Sequence, residues 1–363
     1  MFEEVYIQPK SKRSIFRWKF LIGIIIGMVL GGGVFSGASV ISVGQTVYPD
    51  DSVGEILGNF SKLVIASDRP LDGEEKGEVT VMLLGVGGNG YYGKILTDTI
   101  ILMTIRLADD PGDSEVVLLS IPRDLWVEVP GIPGSRKINE AFKYGELREE
   151  GQGYAVLSEV LEEWTGIGSE YYAVGNFEAF ESVIDAVGGV NVTVDRAFID
   201  YSYPDGNLGY LSPLTFEEGS THLDGEKALQ FARSRHGTNG EGTDFARSKR
   251  QQKIIIAFKE QISKLDYLMD ISTIKKLAEI IVGSFNSNFE PWEAKRLYDL
   301  TKDIPTENFY RINLDPATTG LLCGGINEET QLYAIKLCEG RQISELQKFV
   351  KDRFTFGKEL VEE

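Results

Sequence analysis

The chain has 363 residues, with 37 Lys and Arg against 55 Asp and Glu, a formal net charge of −18, two His and two Cys. This length suits one large domain, or one domain with additions. A pI near 4.7 argues against a counterion-release footprint on nucleic acid. Two histidines leave Ser-His or Cys-His catalysis without an obvious base, and neither stands at zinc-ligand spacing from the cysteines.

The amino terminus carries Lys10, Lys12, Arg13, Arg17 and Lys19, and residues 20–49, which begin FLIGIIIGMVL, hold no charged side chain. About 20 apolar residues span a bilayer, and basic flanks stay on its cytoplasmic side. The pattern predicts a cytoplasmic tail over residues 1–19, one transmembrane helix over 20–46 and an acidic, helix-prone stalk over 47–77, with the rest of the chain outside the cytoplasm. A cleaved signal peptide is the competing reading, because Ser36-Gly37-Ala38 offers small residues for cleavage. Gly23, Gly27 and Gly31 recur at helical spacing and could pack two membrane helices into a weak homodimer. Glycine is common in such helices in any case.

Short, nearly continuous apolar runs at residues 79–86, 99–107 and 115–121 predict strands covered on both faces. Amphipathic helical spacing follows at 138–147, 154–164 and 177–187, then a strand at 190–194 after Gly188-Gly189. Longer helices are predicted at 225–234, 244–265 and 271–284. Strands interleaved with helices give an α/β fold, a layered α/β/α domain with a mostly central sheet, over residues 78–265. Residues 266–363 either complete that domain or form an added module. Within them Cys323 and Cys338 stand 15 apart. An oxidising compartment permits a disulfide there, worth about 3 kcal/mol on the loop-entropy model. Two buried free thiols are the alternative.

In such folds ligands gather at the carboxyl ends of strands. A Gly-rich loop runs from Gly85 to Gly93 and closes on Asp98, and Arg123-Asp124 follows the third strand, with Lys137-Ile138-Asn139 beyond it. Taken singly these features are weak: glycine serves any tight turn, an Arg-Asp pair is often structural, and no P-loop sequence is present. Residues 227–253 add seven Lys or Arg against two acids. A solvated, salt-bridged helix face is one reading of that run, but the spacing favours another. Arg233 and Arg235 share a side only where the chain is extended or leaving a helix. Arg247, Arg250 and Gln251 share one on a helix that starts at Asp244. Guanidinium forks suit phosphate oxygens, so Asp98, Arg123 and the later arginines predict a metal-plus-arginine site for a pyrophosphate. No aromatic stacking platform accompanies the arginines, which again disfavours nucleic acid.

Several separate segments then match in order: Ser120-Ile121-Pro122-Arg123-Asp124, Lys137-Ile138-Asn139, Asp185-Ala186-Val187-Gly188-Gly189, Arg233-Ser234-Arg235, and Asp244-Phe245-Ala246-Arg247 with Arg250-Gln251. Over roughly residues 78–265 the chain resembles LytR-CpsA-Psr proteins. Members of that family are membrane-anchored, extracytoplasmic phosphotransferases that move a glycopolymer from a polyprenyl-pyrophosphate carrier to peptidoglycan. The resemblance implies that Asp98 helps hold Mg²⁺, that Arg123, Arg233, Arg235 and Gln251 surround the pyrophosphate, and that Asp244 and Arg247 belong to the same site or its surroundings. Arg250, Asp124 and Asn139 are counted among the substrate contacts. The family pattern also has an aspartate soon after the first strand and an arginine just before Asp98, where this chain has Gly87 and Leu96-Thr97. A non-catalytic polyprenyl-pyrophosphate-binding protein or a lipid pyrophosphatase is therefore the alternative function.

The chemistry needs no protein nucleophile. Attack by a sugar hydroxyl on the diphosphate expels a lipid monophosphate, with arginines and Mg²⁺ neutralising charge and Asp98 or Asp124 assisting deprotonation. The lipid needs an apolar groove, for which residues 174–187 and 254–258 are candidates, although both also read as ordinary core.

Overall fold

The computed structural model describes residues 69–88, 94–204, 209–265 and 285–362. The expected tail, the transmembrane helix, most of the stalk, the centre of the Gly-rich loop and the helix at 271–284 lie outside the described residues. Among those described, no helix is long and apolar enough to cross a membrane.

The chain first lays down three antiparallel neighbours, β1 (Glu78–Val86), β2 (Thr97–Arg106) and β3 (Glu115–Ser120), with Glu78 opposite Arg106 and Ile101 opposite Ser120. A ribbon of β4 (Trp126–Glu128) and β5 (Ser135–Lys137) leads into helices α1 (Asn139–Arg148) and α2 (Gly153–Thr165). β6 (Tyr171–Gly175) returns to the sheet parallel to β1. Asn176 then starts helix α3 (Phe177–Ala186), its side chain accepting from the Ala179 N–H to satisfy one of the open first-turn donors. β7 (Val190–Val194) lies off this sheet and pairs instead with β10 (Gly219–Leu223), beside a ribbon of β8 (Phe198–Asp200) and β9 (Leu214–Phe216). Helices α4 (Gly225–Arg233), capped by Asp224, and α5 (Asp244–Leu265) follow.

Beyond residue 284, β11 (Phe285–Ser287) pairs with β6, and β12 (Phe309–Asn313) with β3 in parallel, with α6 (Pro291–Thr301) between them. The sheet order is β11-β6-β1-β2-β3-β12. It is a mixed sheet whose two edge strands come from the segment after residue 265. A short helix α7 (Pro316–Thr319), the hairpin β13 (Leu322–Ile326) and β14 (Tyr333–Leu337), and helices α8 (Ile343–Lys351) and α9 (Arg353–Glu362) complete the described chain. Cys323 and Cys338 are joined at the base of that hairpin, with Cα atoms 5.0 Å apart.

The continuous apolar runs have the cause expected of them, since both sheet faces are covered. Met82, Leu84, Ile100, Leu102, Val117 and Leu119 pack with Phe142 of α1, Leu157 of α2 and Leu346 of α8. Their neighbours Ile101, Ile105, Val116 and Leu118 pack on the other face with Ile255 and Ile256 of α5 and Leu297 of α6. Each such side chain contributes about 1.5–3 kcal/mol on leaving water. A separate cluster of Phe198, Phe216, Phe231 and Ile254 joins α4 and α5 to the small ribbons. Where α5 crosses the sheet, the wholly buried amide of Gln252 donates to the carbonyls of Leu118 and Ile312 and to Ser120 Oγ at 2.8–3.0 Å. These bonds key α5 to the ends of β3 and β12. β1, β3, β6 and β12 run parallel, so their carboxyl ends share one edge, and antiparallel β2 begins at that edge.

Candidate functional site

At this edge a polar cavity of about 270 Å³ opens between the start of β2, the loop after β3 and the first two turns of α5. Asp98, Arg123, Asp124, Asp244, Arg247 and Gln251 line it, together with Tyr333 and Ile335 from the hairpin. Arg123 is the hub. Its Nη1 meets Asp98 Oδ1 at 2.5 Å, its Nη2 lies 3.7 Å from Asp244 Oδ2, and its Nε lies 3.7 Å from Asp124 Oδ2. Asp244 Oδ1 is shared by Arg235 Nε at 3.0 Å and Arg247 Nη1 at 2.9 Å. Arg247 also donates to the Asp98 carbonyl at 3.3 Å. Three arginines thus converge on two carboxylates that bridge them.

The titration behaviour reflects this crowding. Burial alone would raise the Asp244 carboxyl, but Arg247, Arg123 and Arg235 outweigh it and hold the group below its usual range. Burial lowers Arg247, and the like charges of Arg123 and Arg235 add to that against the pull of Asp244, leaving it at about 10. Arg123 is raised despite burial, because Asp98, Asp244 and Asp124 surround it. Arg123 and Arg247 both stay cationic at neutral pH.

Not every expected residue joins this cluster. The α4 helix ends at Arg233, Ser234 leaves the helical conformation, and so Arg235 turns back toward Asp244 while Arg233 does not. Arg233 lies 3.9 Å over the Phe177 ring, and its Nη1 donates to Tyr203 OH at 3.4 Å. There it lines a second, apolar cavity of about 310 Å³, bounded by Leu84 and Ala173 of the sheet, Phe180 and Val183 of α3, and Ile254 and Phe258 of α5. Thr99 and Gln251 line both cavities and form the junction. The two stretches expected to offer a groove, 174–187 and 254–258, do meet, as walls of one cavity.

Arg250 corrects the expectation that it faces the anion. It is 3% exposed, and its nitrogens donate to the carbonyls of Phe231, Glu241 and Ser234 and to Glu241 Oε2. One helical turn from Arg247 it points into the protein, because the chain leaving α4 wraps around it. Asn139 is likewise a brace: it is buried, its N–H donates to the Arg123 carbonyl and its own carbonyl accepts from Thr97 Oγ1. Asp124 is buried under Lys137, whose Nζ meets its Oδ1 at 2.5 Å. So engaged, Asp124 lies 3.7 Å from Arg123 Nε and lines the cavity beside it.

Sequence reasoning missed other contributors. Asp200 on β8 accepts from Ser234 Oγ and from the N–H groups of Arg235 and His236, and so sets the path by which Arg235 leaves α4. Its signal is faint, one acid in a three-residue strand. Tyr333 was hidden beyond the last recognised segment.

A mixed α/β domain that gathers arginines and carboxylates at strand ends, next to an apolar cavity, is built to hold an amphiphile with an anionic head. The family model for LytR-CpsA-Psr proteins matches residues 57–316, and the chain belongs to that family. Polyisoprenyl-teichoic acid-peptidoglycan teichoic acid transferase TagU of Oceanobacillus iheyensis is 30% identical over 283 residues, 76% of each chain. The enzyme of the same name from Bacillus cereus is 29% identical over 246 residues, 68% of this chain and 70% of that one. Among solved structures, TagV of B. subtilis shares the fold with a TM-score of 0.57 at 24% identity, over 77% of this chain and 98% of that one.

Proposed function

We propose that this chain is a membrane-anchored, extracytoplasmic transferase that moves a glycopolymer of the teichoic acid kind from a polyprenyl-pyrophosphate carrier to peptidoglycan. The observation that carries this reading is the shared wall at Thr99 and Gln251, where a cavity lined by Arg123 and Arg247 adjoins an apolar one. The polyprenyl chain occupies the apolar cavity among Phe180, Val183, Ile254 and Phe258, and the diphosphate lies across the junction. Arg233 and Gln251 then meet the lipid-side phosphate, and Arg123, Arg235 and Arg247 the sugar-side phosphate, exchanging their carboxylate partners for phosphate oxygens. The names of the curated relatives support the same substrates.

Mg²⁺ takes hard oxygen ligands, commonly one or two carboxylates plus substrate phosphates. Asp98, with its side chain 40% exposed at the cavity, fits that donor set. Among the described residues no three His, Cys, Asp or Glu side chains form a metal cage, so the ion would be shared between Asp98 and the diphosphate. When bound it would neutralise charge on the phosphate oxygens.

In the transfer step an acceptor hydroxyl oxygen bonds to the sugar-side phosphorus, and the bond from that phosphorus to the bridging oxygen breaks. Lipid monophosphate leaves and the hydroxyl proton passes to solvent. Lipid monophosphate is a good leaving group, so positioning and arginine charge on the phosphate oxygens supply the catalysis. The test is product analysis with the full chain, lipid-pyrophosphate-linked teichoic acid, Mg²⁺ and peptidoglycan. Polymer joined to peptidoglycan is expected; bound lipid with no turnover would leave a carrier, and release to water alone a pyrophosphatase.

A further inference from the structure

The hairpin of β13 and β14 lies beyond residue 316, where the family match ends, yet it forms part of the polar cavity. It is strapped to the reactive loop: the Ile335 N–H donates to the Asp124 carbonyl at 2.9 Å, and Ile335 bridges Leu125 as a parallel neighbour. The Cys323–Cys338 bond closes its base, and Leu322 and Ile335 anchor it in the main core. Its outer part is more exposed. Ile326 and Leu332 are 62% and 50% exposed, and Tyr333, paired with Ile326, is 43% exposed while lining the cavity.

The Tyr333 ring is held against the hairpin's own backbone. Its hydroxyl lies over Gly324, where any Cβ would collide with it, so glycine at 324 is what lets the ring lie down. Burial, then the negative charges of Asp124 and Asp244, push its phenol up, consistent with a ring beside the anionic wall of the site. Of the two cavities, Tyr333 and Ile335 line the polar one, and the wall shared with the apolar one lies at Thr99 and Gln251.

Phosphoryl transfer places the attacking and leaving oxygens in line across phosphorus. With the lipid phosphate leaving toward the junction, the acceptor must enter from a wall that the apolar cavity does not share. Pyranose rings present an apolar face of C–H groups that packs on tyrosine and on aliphatic side chains, while their hydroxyls remain hydrogen-bonded. We propose that Tyr333, extended by Ile326 paired opposite it, is the platform on which a sugar ring of the peptidoglycan glycan strand stacks, placing its hydroxyl against the diphosphate held by Arg123. This rests on the transferase reading above and adds the acceptor subsite to it.

The experiment is acceptor kinetics with the full chain in detergent, with lipid-pyrophosphate-linked teichoic acid as donor and soluble glycan strands of peptidoglycan as acceptor. Tyr333→Ala is expected to raise KM for the glycan about tenfold with a smaller change in kcat, and Tyr333→Phe to restore KM to within about twofold. Calorimetric titration of the glycan strands in the absence of donor is expected to show the same ranking. An unchanged glycan KM in a Tyr333→Ala protein that still transfers would overturn the platform and leave the transferase standing. Equal losses in both variants would overturn stacking by the ring. Failure of the unsubstituted chain to transfer at all would remove the transferase reading and the platform together.

Discussion

The polar and apolar cavities share Thr99 and Gln251 but are held open by opposite means. The polar cavity is edged by charges that neutralise one another, Arg123 pairing with Asp98 and Asp244, and Arg235 and Arg247 with Asp244. The apolar cavity is lined by side chains such as Phe180, Ile254 and Phe258, which also belong to the hydrophobic cluster around Phe198 and Phe231. Ion pairs have directions and fixed partners, whereas apolar packing has neither. For the proposed substrate, selectivity would then reside in the polar cavity, and the apolar cavity would tolerate tails of varied structure. A finer contrast runs within α5, where Arg247 serves the cavity and Arg250, one turn on, serves the fold.

Four experiments would break or sharpen these contrasts. The largest effect is expected from Arg250→Met, which leaves the Phe231 and Ser234 carbonyls and Glu241 without their donor. It should cost about 3–5 kcal/mol in chemical denaturation, and native-like stability would show that Arg250 does not brace the exit of α4. Arg123→Ala should instead reduce transfer by about 10²–10³ with a much smaller loss of stability, since it removes charge aimed at the phosphates. If it unfolded the protein as Arg250→Met does, the division between the two arginine roles would fail. Phe180→Asp should weaken polyprenyl-pyrophosphate binding about tenfold while leaving a short-chain, water-soluble analogue bound as before. Equal weakening of both ligands would mean that the apolar cavity does not hold the tail.

The smallest effect concerns acid. Asp244 has its carboxyl held below the ordinary value of 3.8, because Arg247, Arg123 and Arg235 outweigh burial. A carboxyl depressed in the folded state stabilises fully above its unfolded value, and that contribution is lost as pH falls through the folded value. Denaturation midpoints should therefore decline as pH drops below about 4, and Asp244→Asn should flatten that limb of the curve. An identical acid limb in the two proteins would show that Asp244 is not the counter-ion of the cluster.

Much of the architecture was legible because it is local. The apolar runs at β1, β2 and β3 and the helical spacing of α1 to α5 come within two residues of their observed bounds, since burial on two faces or one leaves a periodic trace. β6, β11 and β12 left none. They are three to five residues long, and they become strands only by pairing with β1, β6 and β3. The run of β7 was recognised, but its separation from the main sheet was not.

The sequence by itself determined which groups this protein has to work with: an uncharged amino-terminal stretch, a basic run in an acidic chain, Asp98 and Arg123 at strand ends, and two cysteines 15 residues apart. Tertiary structure decided where they act. It turned Arg250 inward and left Arg247 on the cavity, parted Arg233 from Arg235 through the hydrogen bonds of Asp200, seated α5 through Gln252, and brought Tyr333 beside Asp124. The reason is reach. Backbone periodicity is set by residues a few positions apart, whereas a guanidinium on a long side chain takes whichever carbonyl or carboxylate the distant chain brings to it.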